Sequence, residues 1–253
     1  MSPEFVASPW FYAAAAAAVV LSGISKGGIG AAGGLMVPIM SLTISPVQAA
    51  AIALPILLTM DVVGVYAYRN DWDRRQTAVL LPAGILGLAL GWVTFRYLND
   101  NWIRVLVGCI SCSFVTYSVL RRPPAPAAPN LLKGYVCGAT AGFTTFVAHA
   151  GGPPFAIYLL PLRLATAVYV GTTVVYFTVM NALKVAPYAQ LGLFDARTLW
   201  TAAVMLPVAV GGMLLGLWLR RHLSPKWFYR VAYTLLFATG AKLLFDGFRG
   251  LAA

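Results

Sequence analysis

Seven stretches of this chain contain no aspartate, glutamate, lysine or arginine: Phe5–Ser25, Gly27–Met60, Gln76–Phe95, Val105–Leu120, Gly134–Leu162, Leu164–Leu183 and Thr198–Leu219. An apolar run of about 18 residues or more is long enough to cross the hydrocarbon of a bilayer as a helix. A spanning segment must satisfy its own backbone polar groups, which favours helices. Only 10% of the 253 residues are charged, against about 25% in a soluble domain. The chain is therefore read as an all-α integral membrane protein that crosses the bilayer several times. Its longest polar stretch, around Arg121–Lys133, is too short for a soluble domain. No lysine or arginine precedes the first apolar run, so residues 10–22 read as mature protein and not as a signal peptide.

About eight apolar segments emerge, near 10–44, 46–68, 76–96, 102–120, 131–161, 164–186, 198–219 and 226–246. The formal net charge of +11 sits in the short loops between them. That dispersal excludes the contiguous basic face a nucleic-acid partner requires. Cys109 and Cys112 lie on a span and read as small core residues, not as a redox or metal pair. No cofactor or metal site is expected.

The proline-rich linker Arg121–Asn130 divides the chain into a first repeat, 1–120, and a second, 131–253. An ordered series of matches relates the halves. Gly33-Gly34 recurs as Gly151-Gly152, 118 residues later, and Met60-Asp61 as Met180-Asn181 at 120. Asp73-x-Arg75 recurs as Asp195-x-Arg197 at 122, and Leu81-Pro82, Gly87, Gly91 and Trp102 recur at 125 as Leu206-Pro207, Gly212, Gly216 and Trp227. A slowly growing offset is what loop insertions within a duplicated chain produce. Asp73 and Asp195 each precede a span and read as helix caps. Gly87/Gly91 and Gly212/Gly216 carry the spacing that lets helices approach closely. Packing within the chain is the first reading of these pairs, and a homodimer face is the alternative.

Each half opens with an apolar stretch too long for one span and too short for two. Four crossings per half would give parallel repeats. A re-entrant pair of short helices would leave three full crossings and inverted repeats. The second topology collects eleven basic residues on one side against six on the other. The positive-inside rule therefore favours inverted repeats with both termini outside.

Inside those opening stretches lie two helix-hostile breaks, Ser22–Gly34 and Gly142–Pro154. Interrupted spans in corresponding positions of two halves point to a transporter's binding site. Pro153-Pro154 suits the first turn of a new helix, and a helix N-terminus attracts anions. Gly27, Gly28, Gly33 and Gly34 in the first break, with Gly151 and Gly152 in the second, are the candidate anion cradle. Lys26 and His149 add a cation and a titratable ring, while Ser25, Thr144 and Thr145 can donate to sulfonyl or carboxyl oxygens. Asp61, inside a span, and His149 are the candidate proton-coupling residues. Lys184 lies one turn from Asn181, so an Asp61–Lys184 pair across the halves is one reading, and a structural polar contact is the other.

At these positions the chain resembles the sulfite exporter TauE/SafE family, which is grouped with toluene sulfonate uptake permeases. The residues that carry the likeness are Gly27-Gly28-x-Gly30, Gly33-Gly34-Leu-Met-Val-Pro38, Ser45-Pro46-x-x-Ala49, Asp73-Arg-Arg75, Gly87-x-x-x-Gly91, Gly142-Phe143, Gly151-Gly152-Pro153-Pro154 and Val170-Gly-Thr-Thr173. The likeness implies a secondary transporter in the inner membrane. It would move sulfite, an organosulfonate or a related small organic anion, with proton-coupled export as the expectation. The glycine loops of both halves would then form its substrate site. A passive anion channel is the alternative. An intramembrane serine hydrolase built on Ser25 and His149 is a third reading, weakened because the repeat mate of Ser25's loop lacks a corresponding pair.

Overall fold

The computed structural model of the protein describes residues 9–29, 34–120, 126–219 and 225–252. They form ten α-helices: α1 (Pro9–Ile24), α2 (Met36–Met40), α3 (Pro46–Tyr68), α4 (Arg74–Phe95), α5 (Asp100–Leu120), α6 (Leu131–Ala148), α7 (Gly152–Leu159), α8 (Thr166–Gln190), α9 (Ala196–Leu219) and α10 (Pro225–Ala252). A π-helical turn, Ser25–Ile29, continues α1, and a 3-10 turn, Leu160–Leu162, continues α7. Among the described residues, 7 helices are long and apolar enough to cross a membrane, counting Pro9–Gly28 as one.

Local chemistry sets the helix starts. The Asp73 carboxylate accepts from the Gln76 amide at 3.0 Å, and Asp195 accepts from Thr198 at 2.6 Å. Ser45 and Asn130 cap α3 and α6 the same way, at 3.2 and 2.9 Å. Each side chain satisfies an amide that has no partner within the helix. Both caps expected at Asp73 and Asp195 are therefore present.

Small residues set the packing. Helix α4 lies along α6, α1 along α9, α5 along α10, and α3 against α8 and α9. A Cβ on Gly142 of α6 would collide with the Gly84 carbonyl of α4, and one on Gly216 of α9 would meet the Ile24 backbone of α1. These glycines serve helix contacts within the chain, where close backbone approach supplies the dispersion energy that lipid cannot. Leu86, Leu90, Trp200, Trp218, Phe245 and Phe248 face outward, as a lipid-facing surface requires.

At the first break, Gly28 leaves the helical region (φ 175°, ψ −12°). At the second, α6 ends on His149 in the left-handed conformation (φ 51°, ψ 28°). Its amide turns back to the carbonyls of Thr144 and Thr145, which closes the helix end in the manner of a C-terminal cap. Helix α7 restarts three residues later. The two breaks meet in space: a Cβ on Gly34 would lie 3.0 Å from the Ala150 Cα.

Candidate functional site

The breaks and the middles of α3 and α8 enclose a cavity of about 80 Å³. That exceeds the roughly 10–15 Å³ needed to seat one water. Its polar wall is Ser22, Ser25, Lys26, Thr145, His149, Thr173 and Asn181, and its apolar wall includes Met36, Leu57, Val170 and Phe177. Gly34 and Gly152 complete the lining. The Ser22 hydroxyl is buried and has no hydrogen-bond partner among the described residues, so it is a free donor and acceptor in the cavity wall.

The α1 helix delivers Lys26 to the cavity through the π-turn. Its ammonium ion-pairs with Oδ1 of Asp61, on α3. It also reaches the Leu57 carbonyl at 3.4 Å. Asp61 is 1% exposed and Lys26 13%, so the carboxylate is enclosed while the ammonium borders the cavity. The second carboxylate oxygen, Oδ2, accepts from Asn181 Nδ2 of α8 at 2.7 Å. A charge inside a membrane protein is costly unless it is paired, and here both partners of the ion pair come from the same half of the chain.

Lys184, also on α8, is fully buried. It does not reach Asp61 as the sequence spacing suggested. Its Nζ lies 3.0 Å from the Thr145 carbonyl, 3.3 Å from Thr145 Oγ1 and 2.6 Å from His149 Nδ1. Lys26 takes the carboxylate because the π-turn brings it to the face of α3 that carries Asp61. That placement is set by the break and is invisible to a one-turn spacing rule.

His149 is held from both sides. Its Nε2 lies 3.0 Å from the Ala50 carbonyl. A carbonyl only accepts, so Nε2 carries the ring proton. Both ring nitrogens are thus engaged, and neither is left to take a proton from Ser25. The nucleophile–base arrangement that a serine hydrolase requires does not form.

The remaining candidates divide. Thr145 lines the cavity, whereas the Thr144 hydroxyl turns back to its own helix, at 2.8 Å from the Thr140 carbonyl. Gly27 offers its carbonyl to the Tyr68 hydroxyl at 2.7 Å, and its Cα faces the α9 backbone. Gly28 is buried beside it. Gly151 caps α7 and packs on Ala141 and Phe177. Gly33 lies outside the described residues. Ser22, Thr173, Asn181 and the apolar wall were not singled out as site residues from sequence. The repeat match of Asn181 to Asp61 is the signal that marks one of them, and Thr173 ends the Val170–Thr173 motif.

A bundle of membrane-spanning helices around a small, partly polar cavity with an internal ion pair defines a membrane transporter, not an enzyme. Residues 15–243 match the sulfite exporter TauE/SafE family, and the chain belongs to that family. It is accordingly a multi-pass inner-membrane protein. It is similar to a probable inner membrane transporter protein, TsaS, of Comamonas testosteroni, with 30% identity over 67% of this chain and 71% of the relative. It is also similar to a probable sulfite/organosulfonate exporter, TauE, of Cupriavidus necator, with 27% identity over 69% of this chain and 68% of the relative. No solved structure gives a significant match.

Proposed function

We propose that the protein is a secondary carrier that moves sulfite, an organosulfonate or a related small anion across the inner membrane, coupled to protons. The observation that carries this reading is the Lys26–Asp61 ion pair at the cavity wall. An anion entering the cavity competes with Asp61 for Lys26. Once displaced, the enclosed carboxylate has lost its cation and takes up a proton. Anion and proton then favour each other's binding. The carrier runs in whichever direction the two gradients together dictate. A cell that generates the anion internally beyond what the pH gradient can hold exports it. Ser22, Ser25, Lys26, Thr145 and His149, with Gly34 and Gly152, form the anion site, and Asp61 and His149 carry the proton coupling.

We read the two halves, 1–120 and 131–253, as inverted repeats joined by the linker 121–130, each opening with a discontinuous helix. Three relationships support this. The contact of α1 with α9 corresponds to that of α6 with α4, while α3 meets its own mate α8, and α5 its mate α10. Tyr68 donates to the Gly27 carbonyl and Tyr188 to the Phe146 carbonyl, both at 2.7 Å. Tyr68 ends α3 and Gly27 lies just beyond the end of α1, so α1 and α3 run in the same direction. The chain between them therefore returns to the side from which it entered, and three full crossings remain. An odd number of crossings inverts the second half.

The test is flux in proteoliposomes, using sulfite and several sulfonates with and without an imposed pH gradient. Anion accumulation driven by the gradient is expected, and Asp61→Asn should weaken the coupling by the proton that Asp61 carries. Flux that ignores the gradient would make the protein a passive channel. Absence of any anion flux would sink the carrier reading.

A further inference from the structure

Among the described residues Lys184 is the most enclosed charge-bearing group, and nothing in the coupling scheme above uses it. We infer that Lys184 and His149 form a second proton-binding site, which takes up one proton when the anion enters and releases it when the anion leaves. This inference rests on the carrier reading and adds a coupling group to it.

The argument begins with hydrogen-bond capacity. A charged lysine has three protons to donate. Lys184 has three acceptors: the Thr145 carbonyl, Thr145 Oγ1 and His149 Nδ1. Because Nε2 of His149 faces the Ala50 carbonyl, Nδ1 of the neutral ring is an acceptor, as the charged lysine requires. The neutral amine is equally well accommodated. Its two protons go to the Thr145 carbonyl and to Nδ1. The Thr145 hydroxyl, which can donate as well as accept, then turns its proton toward the amine lone pair. Both protonation states are thus fully bonded with the same heavy-atom positions. A purely structural buried lysine needs only one of them.

Charge decides between the states. Among the described residues, all three partners of Lys184 are neutral, and no carboxylate bonds it. The charged groups that act on the pair from the packed elements are Asp61 on α3 and Lys26 on the π-turn. The Tyr188 ring lies edge-on to the imidazole, with centroids 6.1 Å apart, and its hydroxyl is committed to Phe146. Asp61 is already engaged by Lys26 and Asn181. The pair therefore lacks a counter-ion of its own until an anion occupies the cavity, which His149 and Thr145 both line. The step is simple to balance. One proton from the cavity converts the Lys184 amine to ammonium, no bond in the anion changes, and the reverse step returns the proton through the Thr145–His149 wall. The His149 ring can hold that same proton, so the pair carries one positive charge and not two.

The experiment measures the Michaelis constant against pH for a sulfonate, whose own charge is fixed across the range. Methanesulfonate and p-toluenesulfonate are the probes, in proteoliposomes of the full chain. Each linked proton site contributes up to about a tenfold rise per pH unit. Asp61→Asn should retain a rise of about tenfold per unit, and Asp61→Asn with Lys184→Arg, a cation that keeps its proton, should be flat. Because arginine is larger, a second readout needs no change at Lys184. Lightly buffered Asp61→Asn protein should still take up one proton per sulfonate bound. If Asp61→Asn alone gives a flat profile and no proton uptake, the Lys184–His149 site is overturned while the carrier reading stands. If the unaltered protein moves neither sulfonate nor sulfite, the carrier reading fails and takes this inference with it.

Discussion

The Asn181 side chain donates its amide hydrogen to Asp61 at 2.7 Å, joining two residues 120 positions apart that match between the halves. One half carries the carboxylate and the other the neutral amide that orients it. Asn181→Ala removes that donor and leaves Oδ2 of an enclosed carboxylate without its partner. A hydrogen bond to a charged group contributes about 1.5–3 kcal/mol, and a loss of that size is expected in denaturant unfolding of the purified protein. Asn181→Asp should be worse, because it sets a second carboxylate against the first.

The Lys26–Asp61 pair should be strongly non-additive. Lys26→Met leaves a buried carboxylate uncompensated, which costs about 3–5 kcal/mol. Replacing both residues, Lys26→Met with Asp61→Leu, removes the charge and its desolvation penalty together, so most of the stability should return. Anion flux should be lost in both variants. Thermal melts and flux measured side by side separate the two effects. Equal destabilisation by the single and the double replacement would show that the pair is not coupled.

Much of this arrangement is legible in the sequence because its causes are local or repeated. The spans follow from charge-free runs. The caps at Asp73 and Asp195 follow from their position before apolar helices, and the need of Asp61 for buried partners follows from a carboxylate inside a span. Partner choice is not legible. Lys184 sits one turn from Asn181, yet it turns to Thr145 and His149 while Lys26 reaches Asp61. Lys26 lies within the π-turn Ser25–Ile29, and no periodicity rule anticipates such a bulge. Ser22 and Thr173 were missed for a related reason. Small hydroxyl residues in spans usually bond back to their own helix, as Thr144 does, and only the cavity sets them apart.

Asp195 gives a prediction outside the membrane. The amide of Thr198, together with its hydroxyl, holds the Asp195 carboxyl below the usual carboxylate range. A folded-state value below the unfolded one means the cap stabilises the protein above the unfolded value. That contribution is lost as pH falls through the folded value. Asp195→Ala should lower the melting temperature at neutral pH by the equivalent of about 1 kcal/mol, typical of a lost N-cap. The gap between variant and parent should close in acid. A gap that stayed constant from neutral to strongly acidic pH would exclude a charged cap.

Two glycines make opposite predictions from the same substitution. A Cβ on Gly142 would collide with the Gly84 carbonyl where α6 crosses α4, while a Cβ on Gly211 of α9 meets nothing within 4 Å. Gly142→Ala must push two helix backbones apart, and overpacking of this kind costs about 1–3 kcal/mol. The second break follows α6 directly, so that displacement also moves Thr145 and His149, and anion flux should fall with stability. Gly211→Ala meets no such obstacle and gains helix propensity, up to about 1 kcal/mol, with flux unchanged. Melting temperature and flux for the two variants, measured in the same lipid, provide the check. A tolerated alanine at Gly142 would mean that α4 and α6 can separate without disturbing the cavity.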